Sequence, residues 1–238
     1  MERTQVLIGT SGFSYPAWRG GFYPQKMPPA RMLAYYAERL AAVEINNTFY
    51  RMPTTEVLQR WAAETPPGFR FSLKSPRQIT HDKRLVEVGS AVERLAEVAR
   101  ALGEKLGPVL FQLPPNQRKD LPRLDAFLAG LPTGLHAALE FRHASWFTDD
   151  VYDCLRARRA ALCLAESDEF ETPLEATADW GYLRLRRLDY DGAAIARWAA
   201  YLQARSWSTA YVFFKHEDAG KGPDAANRLR LALGEVMA

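Results

Sequence analysis

PVLFQLPPNQRKDLPRLDAFLAGLPTGLHAALEFRH, residues 108–143, carries the pattern that decides the fold. It opens on a short apolar run, PVLFQL. Leu121, Leu124 and Leu128 follow at the three-or-four spacing of one helical face. A second run, AALEFRH at 137–143, then ends in polar residues. Two short runs joined by a helical crossover read as parallel neighbours in one sheet. The unit recurs on both sides. Further runs lie at 6–12 (VLIGTSG), 42–47 (AVEINN), 69–75 (FRFSLKS), 161–167 (ALCLAES), 181–187 (GYLRLRR) and 210–217 (AYVFFKHE), which with the first two makes eight.

The stretches between them mostly predict helices. Met32, Leu33, Tyr36, Leu40 and Val43 share a face, as do Val57, Leu58 and Trp61. Leu85, Val88, Val92, Leu95, Ala99, Leu102 and Leu106 hold helical spacing over twenty residues. Thr148 with Asp149 and Asp150 supplies a cap and first-turn acids. Ile195, Trp198 and Leu202 mark another helix, and Ala226, Leu229 and Leu233 the last. Residues 167–178 carry no helical pattern. Eight strands with helical crossovers predict a single (β/α)8 TIM-type barrel over residues 1–238, with a weak or missing helix after strand six. A doubly wound open sheet is the alternative, but Gly9-Thr10-Ser11-Gly12 is too short for its dinucleotide turn.

Composition bounds the function classes. The chain has 238 residues, 47% hydrophobic and 25% charged, which excludes disorder, collagen and coiled coil as whole-chain descriptions. No apolar stretch reaches membrane-spanning length, and the N-terminal MERTQVLIGTSG lacks the apolar core of a signal peptide. Cys154 and Cys163 form no disulfide framework and no metal or redox spacing. A cytoplasmic protein is expected. The net charge of +3 permits an anionic partner without requiring one.

Polar residues at the strand ends fall two apart and so share a face: Glu44 with Asn46, Ser72 with Lys74, Glu140 with Arg142, Arg184 with Arg186. Gln112, Glu166 and Lys215 sit late in their own runs. The residues between, such as Ile45, Leu73, Phe141 and Leu185, are apolar and are expected to face the helices. A ring of charge in the barrel mouth follows. It sets the acids Glu44, Glu140 and Glu166 against the cations Lys74, Arg142, Arg184, Arg186 and Lys215. Unpaired cations in a partly desolvated mouth are costly, and an anionic ligand relieves that cost. A self-neutralising ion network is the structural alternative. The four histidines make no HxH or HExxH spacing, so no metal and no cofactor is expected. His81 and His143 could reach the rim, whereas His136 precedes its strand and belongs to the opposite end. Aromatics crowd the first loop (Phe13, Tyr15, Trp18, Phe22, Tyr23), either to stack a base or sugar or to plug the rim. Trp146 and Phe147 pose the same choice after strand five.

The segments IGTSGFSYPAWRGGFYP, VEINNTFYRMP, FRFSLKSPRQITH, KLGPVLFQLPP and LEFRHASW, in this order, resemble the YecE-like family, domain-of-unknown-function family seventy-two. The resemblance implies a TIM-type barrel and no established reaction. A likeness in shape to barrel endonucleases suggests a nucleic-acid role only by analogy of fold. The family's recurrent polar motifs map onto Glu44, Asn46, Thr48, Tyr50, Lys74, Thr80, His81, Gln112, Glu140, Arg142, His143 and Trp146. The chain departs from the family where it reads Arg184-Leu185-Arg186-Arg187 and Lys215-His216-Glu217-Asp218. The added cations strengthen the case for an anion.

These observations predict a protein that binds, and as a metal-independent hydrolase or lyase acts on, a small phosphate-containing ligand. Glu140, Glu44, Lys74 and His81 are the expected catalytic groups. Asn46, Tyr50, Gln112, Arg142, His143, Trp146, Glu166, Arg184, Arg186, Lys215, His216 and Trp18 are the expected ligand contacts. The alternative is a non-catalytic partner of nucleotides or nucleic acid. No membrane partner is expected, and the sequence leaves the oligomeric state open.

Overall fold

The computed structural model describes residues 4–215 and 220–234. All eight apolar runs are strands in it: β1 Gln5–Ser11, β2 Ala42–Ile45, β3 Arg70–Lys74, β4 Leu106–Gln112, β5 Ala137–Glu140, β6 Ala161–Glu166, β7 Gly181–Leu185 and β8 Thr209–Phe214. Each pairs in parallel with its neighbours in sequence, and β1 closes on β8. The result is the (β/α)8 barrel. Helices fill the crossovers: α1 Pro29–Ala37, α2 Thr55–Ala63, α3 Gly89–Ala99, α4 Leu121–Ala129, α5 Asp149–Ala157 and α6 Gly192–Gln203, with α7 Lys221–Ala232 after β8. Between β6 and β7 the chain makes no helix.

Strand alternation sorts the core into two compartments. Ile45, Leu73, Leu139, Phe141, Leu183 and Leu185 pack with the helices. Ala42, Leu110, Ala138, Cys163, Tyr182 and Phe213 pack with one another inside the barrel. Burial on both faces is why these strands read as nearly continuous apolar runs.

Small residues let the barrel close. A Cβ on Gly9 would lie 1.8 Å from the Ala42 carbonyl oxygen of the neighbouring strand. Beside that approach, the Tyr36 hydroxyl accepts from the Thr10 amide and donates to the Ala42 carbonyl, both at 2.8 Å. One α1 side chain thereby ties β1 to β2.

Two helical expectations are shortened. The spacing from Leu85 to Leu106 does not mark one long helix. Leu85 sits in a turn at φ 70°, α3 spans only Gly89–Ala99, and a tighter 3-10 turn follows over Arg100–Lys105. Gly103 at φ 57° breaks that turn, and Leu106 already belongs to β4. Val43 lies in β2, since α1 stops at Ala37. Val43 is buried by its strand, and Leu106 packs partly buried against the core.

Candidate functional site

Arg184 organises the carboxyl end of the barrel. It is inside-facing on β7 by the same alternation as Tyr182, and its side chain is only 3% exposed. Its guanidinium spans the lumen, donating to Glu44 Oε1 of β2 at 2.9 Å and to Glu140 Oε2 of β5 at 2.5 Å. Asn46 Oδ1 and Gln112 Oε1 each stand 3.4 Å from it. Tyr182 and Ser11 donate to Glu44 as well, at 2.7 and 2.8 Å. Both carboxylates are fully buried.

Their ionisation follows from these contacts. Burial pushes the Glu140 carboxyl up, but Arg184, Arg142 and Arg186 outweigh it and hold it at about 2. For Glu44, burial is likewise overcome by Arg184 and by the bond from Tyr182. A carboxylate held so low has no proton to donate near neutrality and is a poor base. Glu140 and Glu44 also anchor the cations they contact.

Three further cations ring this buried core. Arg142 contacts Glu140 Oε1 and lies under the Phe170 ring, 5.6 Å from its centroid. Arg186 Nη1 is 3.9 Å from the same oxygen. Lys74 Nζ sits 4.3 Å from the centroid of the Phe49 ring and makes no hydrogen bond or ion pair among the described residues. Burial, then Arg184, lowers the Lys74 ammonium to about 8. The Nε–H groups of Arg142, Arg184 and Arg186 are buried without an acceptor. His81 meets the other part of this wall, edge-on to Phe49 at 4.8 Å, with Nδ1 2.9 Å from Thr80 Oγ1. Burial and the Lys74 charge lower its pKa, which favours the neutral imidazole.

Several expected contacts lie elsewhere. Glu166 is not in the mouth. On β6 the inward residues are Ala161, Cys163 and Ala165, so Glu166 points to the helix side with Leu164. There it accepts from Trp198 Nε1 at 2.9 Å and pairs with Arg197 of α6. Trp18 is 1% exposed, packed among Tyr15, Phe22 and Tyr23. The first loop is a plug, and no face of Trp18 is open to a ligand. Trp146 stacks on Phe141 at 4.6 Å and donates to the Gln117 carbonyl, fully buried on the helix side. His143 accepts from the Ser145 amide and caps the turn over Ala144–Trp146. Tyr50 stands at the rim, 81% exposed. Lys215 follows β8, partly exposed, and His216 lies outside the described residues. His136 stacks on Trp180 at the opposite end.

Tyr182 is the site residue that sequence reasoning missed. Its signal was its place two residues before Arg184, on the same face. Among the described residues no three His, Cys, Asp or Glu side chains converge as a metal site, and no helix is long and apolar enough to cross a membrane.

Comparison with known proteins gives a consistent picture. The family model described as "Protein of unknown function DUF72" matches residues 7–238. The UPF0759 protein YecE of Escherichia coli K12 is 32% identical over 144 residues, 60% of this chain and 50% of that protein. The UPF0759 protein YunF of Bacillus subtilis is 27% identical over 156 residues, 62% of this chain and 54% of that one. The chain thus spans about half the length of the curated relatives it matches. A solved DUF72 family structure from Thermotoga maritima superposes with a TM-score of 0.86 at 25% identity, over 97% of this chain and 100% of that one.

Proposed function

The chain belongs to the DUF72 family, whose name assigns no activity, and from the chemistry of its barrel mouth we propose that it binds a small phosphate-bearing molecule there. The observation that carries this reading is the set of unmatched donors. The Nε–H groups of Arg142, Arg184 and Arg186 are buried without acceptors, and Lys74 has no carboxylate partner among the described residues. Four cations share two carboxylates, Glu44 and Glu140, so among these described residues the mouth keeps an excess of two positive charges (4 − 2). A buried Nε–H without an acceptor is destabilising, and a tetrahedral oxyanion supplies acceptors to several donors at once. Arg142, Arg186 and Lys74 are the contacts, and Arg184 is the strut that sets their positions.

Tyr50 favours a nucleotide as the bearer of that phosphate. Its exposed ring stands 5.0 Å from Phe49, the same ring that carries Lys74. A base stacked on Tyr50 would leave its phosphate toward the cations.

Calorimetric titration with inorganic phosphate, against chloride at matched ionic strength, tests the reading. Saturable binding is expected, weakened about tenfold by Arg186→Ala, the loss of one charge-assisted contact. Heat no different from that of chloride would remove the proposal.

A further inference from the structure

Among the lysines, Lys74 is set apart by its surroundings. Lys119 pairs with Asp150, Lys105 donates to the Ala62 and Thr65 carbonyls, and Lys83 donates to the Glu87 carbonyl. Lys74 Nζ instead lies over an aromatic face, half-buried at the carboxyl end of β3 and within the field of Arg184 and Arg186. Resting on the anion site of the reading above, and not on a base stacked at Tyr50, we propose that Lys74 forms an imine with the carbonyl group of a small compound that also carries an anionic group, a 2-oxo acid or a phosphorylated aldehyde or ketone.

The groups around Lys74 suit each stage. Arg184 and Arg186 from β7 disfavour its ammonium, while Glu140 from β5 and Glu44 from β2 favour it; burial tips the balance toward the free amine, and the pKa falls to about 8. A tenth of the side chain or so is then unprotonated near neutrality, against about a thousandth for an ordinary lysine. Desolvation beside other cations is a recognised way to activate an amine for carbonyl attack. The nitrogen forms a bond to the carbonyl carbon, and the carbonyl oxygen takes up a proton to give a carbinolamine. That hydroxyl then leaves as water. Overall, an ammonium and a carbonyl give a protonated imine and one water, with no oxidant, reductant or net proton required. The protonated imine keeps the positive charge that faces the Phe49 ring and the two buried carboxylates. His81, held toward its neutral form and packed on the same Phe49 ring, is placed to relay the proton between nitrogen and oxygen. The anionic part of the compound meets the unmatched Nε–H groups of Arg142 and Arg186.

The test is reductive trapping. The intact protein is treated with glyoxylate and cyanoborohydride, and separately with acetaldehyde and cyanoborohydride, and the seven lysines are mapped by peptide mass. Glyoxylate is expected to label Lys74 about tenfold faster than Lys83 or Lys119, and inorganic phosphate is expected to suppress that labelling. Lys74 labelled no faster than those two overturns the inference. Phosphate binding measured on the same sample separates the two readings. Binding without preferential labelling sinks the imine and leaves the anion site standing. Preferential labelling that is equal for both aldehydes and indifferent to phosphate sinks the anion site, and with it the proposed substrate class.

Discussion

Arg184 is the residue on which the mouth depends, because it is the cation common to both buried carboxylates. For Glu44 it is the only cation within 4.0 Å among the described residues. Arg184→Met fills similar space but leaves Glu44 ionised in an apolar lumen. Breaking a buried pair in this way costs about 3–5 kcal/mol, read as a lower urea midpoint. The pH dependence gives a sharper signature. Glu140 sits at about 2 in the folded protein against an ordinary 4.5. Its stabilising contribution is complete above the ordinary value and is lost as pH falls from there through about 2. In the Met variant, only the bonds from Tyr182 and Ser11 still oppose the burial of Glu44, so its folded pKa rises above its wild-type position. The variant's stability relative to wild type should therefore recover on acidification. Lys74 in the wild-type protein has the same sign as Glu140, in a higher window. Its folded pKa is depressed from 10.5 to about 8, so between those values the unfolded chain holds more protons and stability from this group rises with pH. Anion affinity moves the other way, since the ammonium is lost through about 8. Sulfate, which does not titrate in this range, should bind more weakly as pH rises through that value, and Lys74→Met should flatten the dependence.

The elements explain how much of this was legible. Period-two alternation placed Glu44, Asn46, Lys74, Gln112, Glu140 and Arg184 on one face correctly, because large apolar residues between them fixed the phase of each strand. On β6 the same logic failed. ALCLAE is apolar on both faces, so alternation alone left the direction of Glu166 undecided. Size decides it: the lumen takes Ala161, Cys163 and Ala165, and the helix side takes Leu162 and Leu164. Trp18 and Trp146 could not be placed by type, since an aromatic residue in a loop serves a plug as readily as a platform. The bond from Trp198 to Glu166 and the Tyr36 bridge from β1 to β2 both cross between distant elements, which no local pattern reveals. Tyr36→Phe tests the second. Loss of the hydroxyl leaves the Thr10 amide and the Ala42 carbonyl buried without this partner, at a cost of about 1–3 kcal/mol. Denaturant unfolding should show that loss, and hydrogen exchange at the Thr10 amide should quicken.

At the scale of the whole molecule, the question is whether the cationic mouth is a point or part of a surface. A duplex needs a stripe of cations along its phosphates. Outside the mouth, several arginines are matched by nearby acids: Arg77 by Asp82, Arg123 by Asp120, Arg156 by Asp153 and Glu175, Arg158 by Asp125. Arg228 has Asp224 one turn away. The net charge of +3 is close to the excess already counted at the mouth, so little is left to line a groove across the surface. Closure of β1 on β8 adds a geometric limit. It turns the inward side chains of every strand toward one axis, so the cations converge on a point at the carboxyl end. Such a site neutralises one or two phosphates whatever the length of the ligand. Affinity for a mononucleotide should therefore fall with salt at a log–log slope of no more than about 2, and a duplex of about 20 base pairs should give the same slope and no tighter binding. Fluorescence titrations over a range of potassium chloride measure both. A slope several-fold steeper for the duplex would mean that phosphate contacts extend well beyond the mouth, and that the molecule meets nucleic acid along a face this charge distribution does not provide.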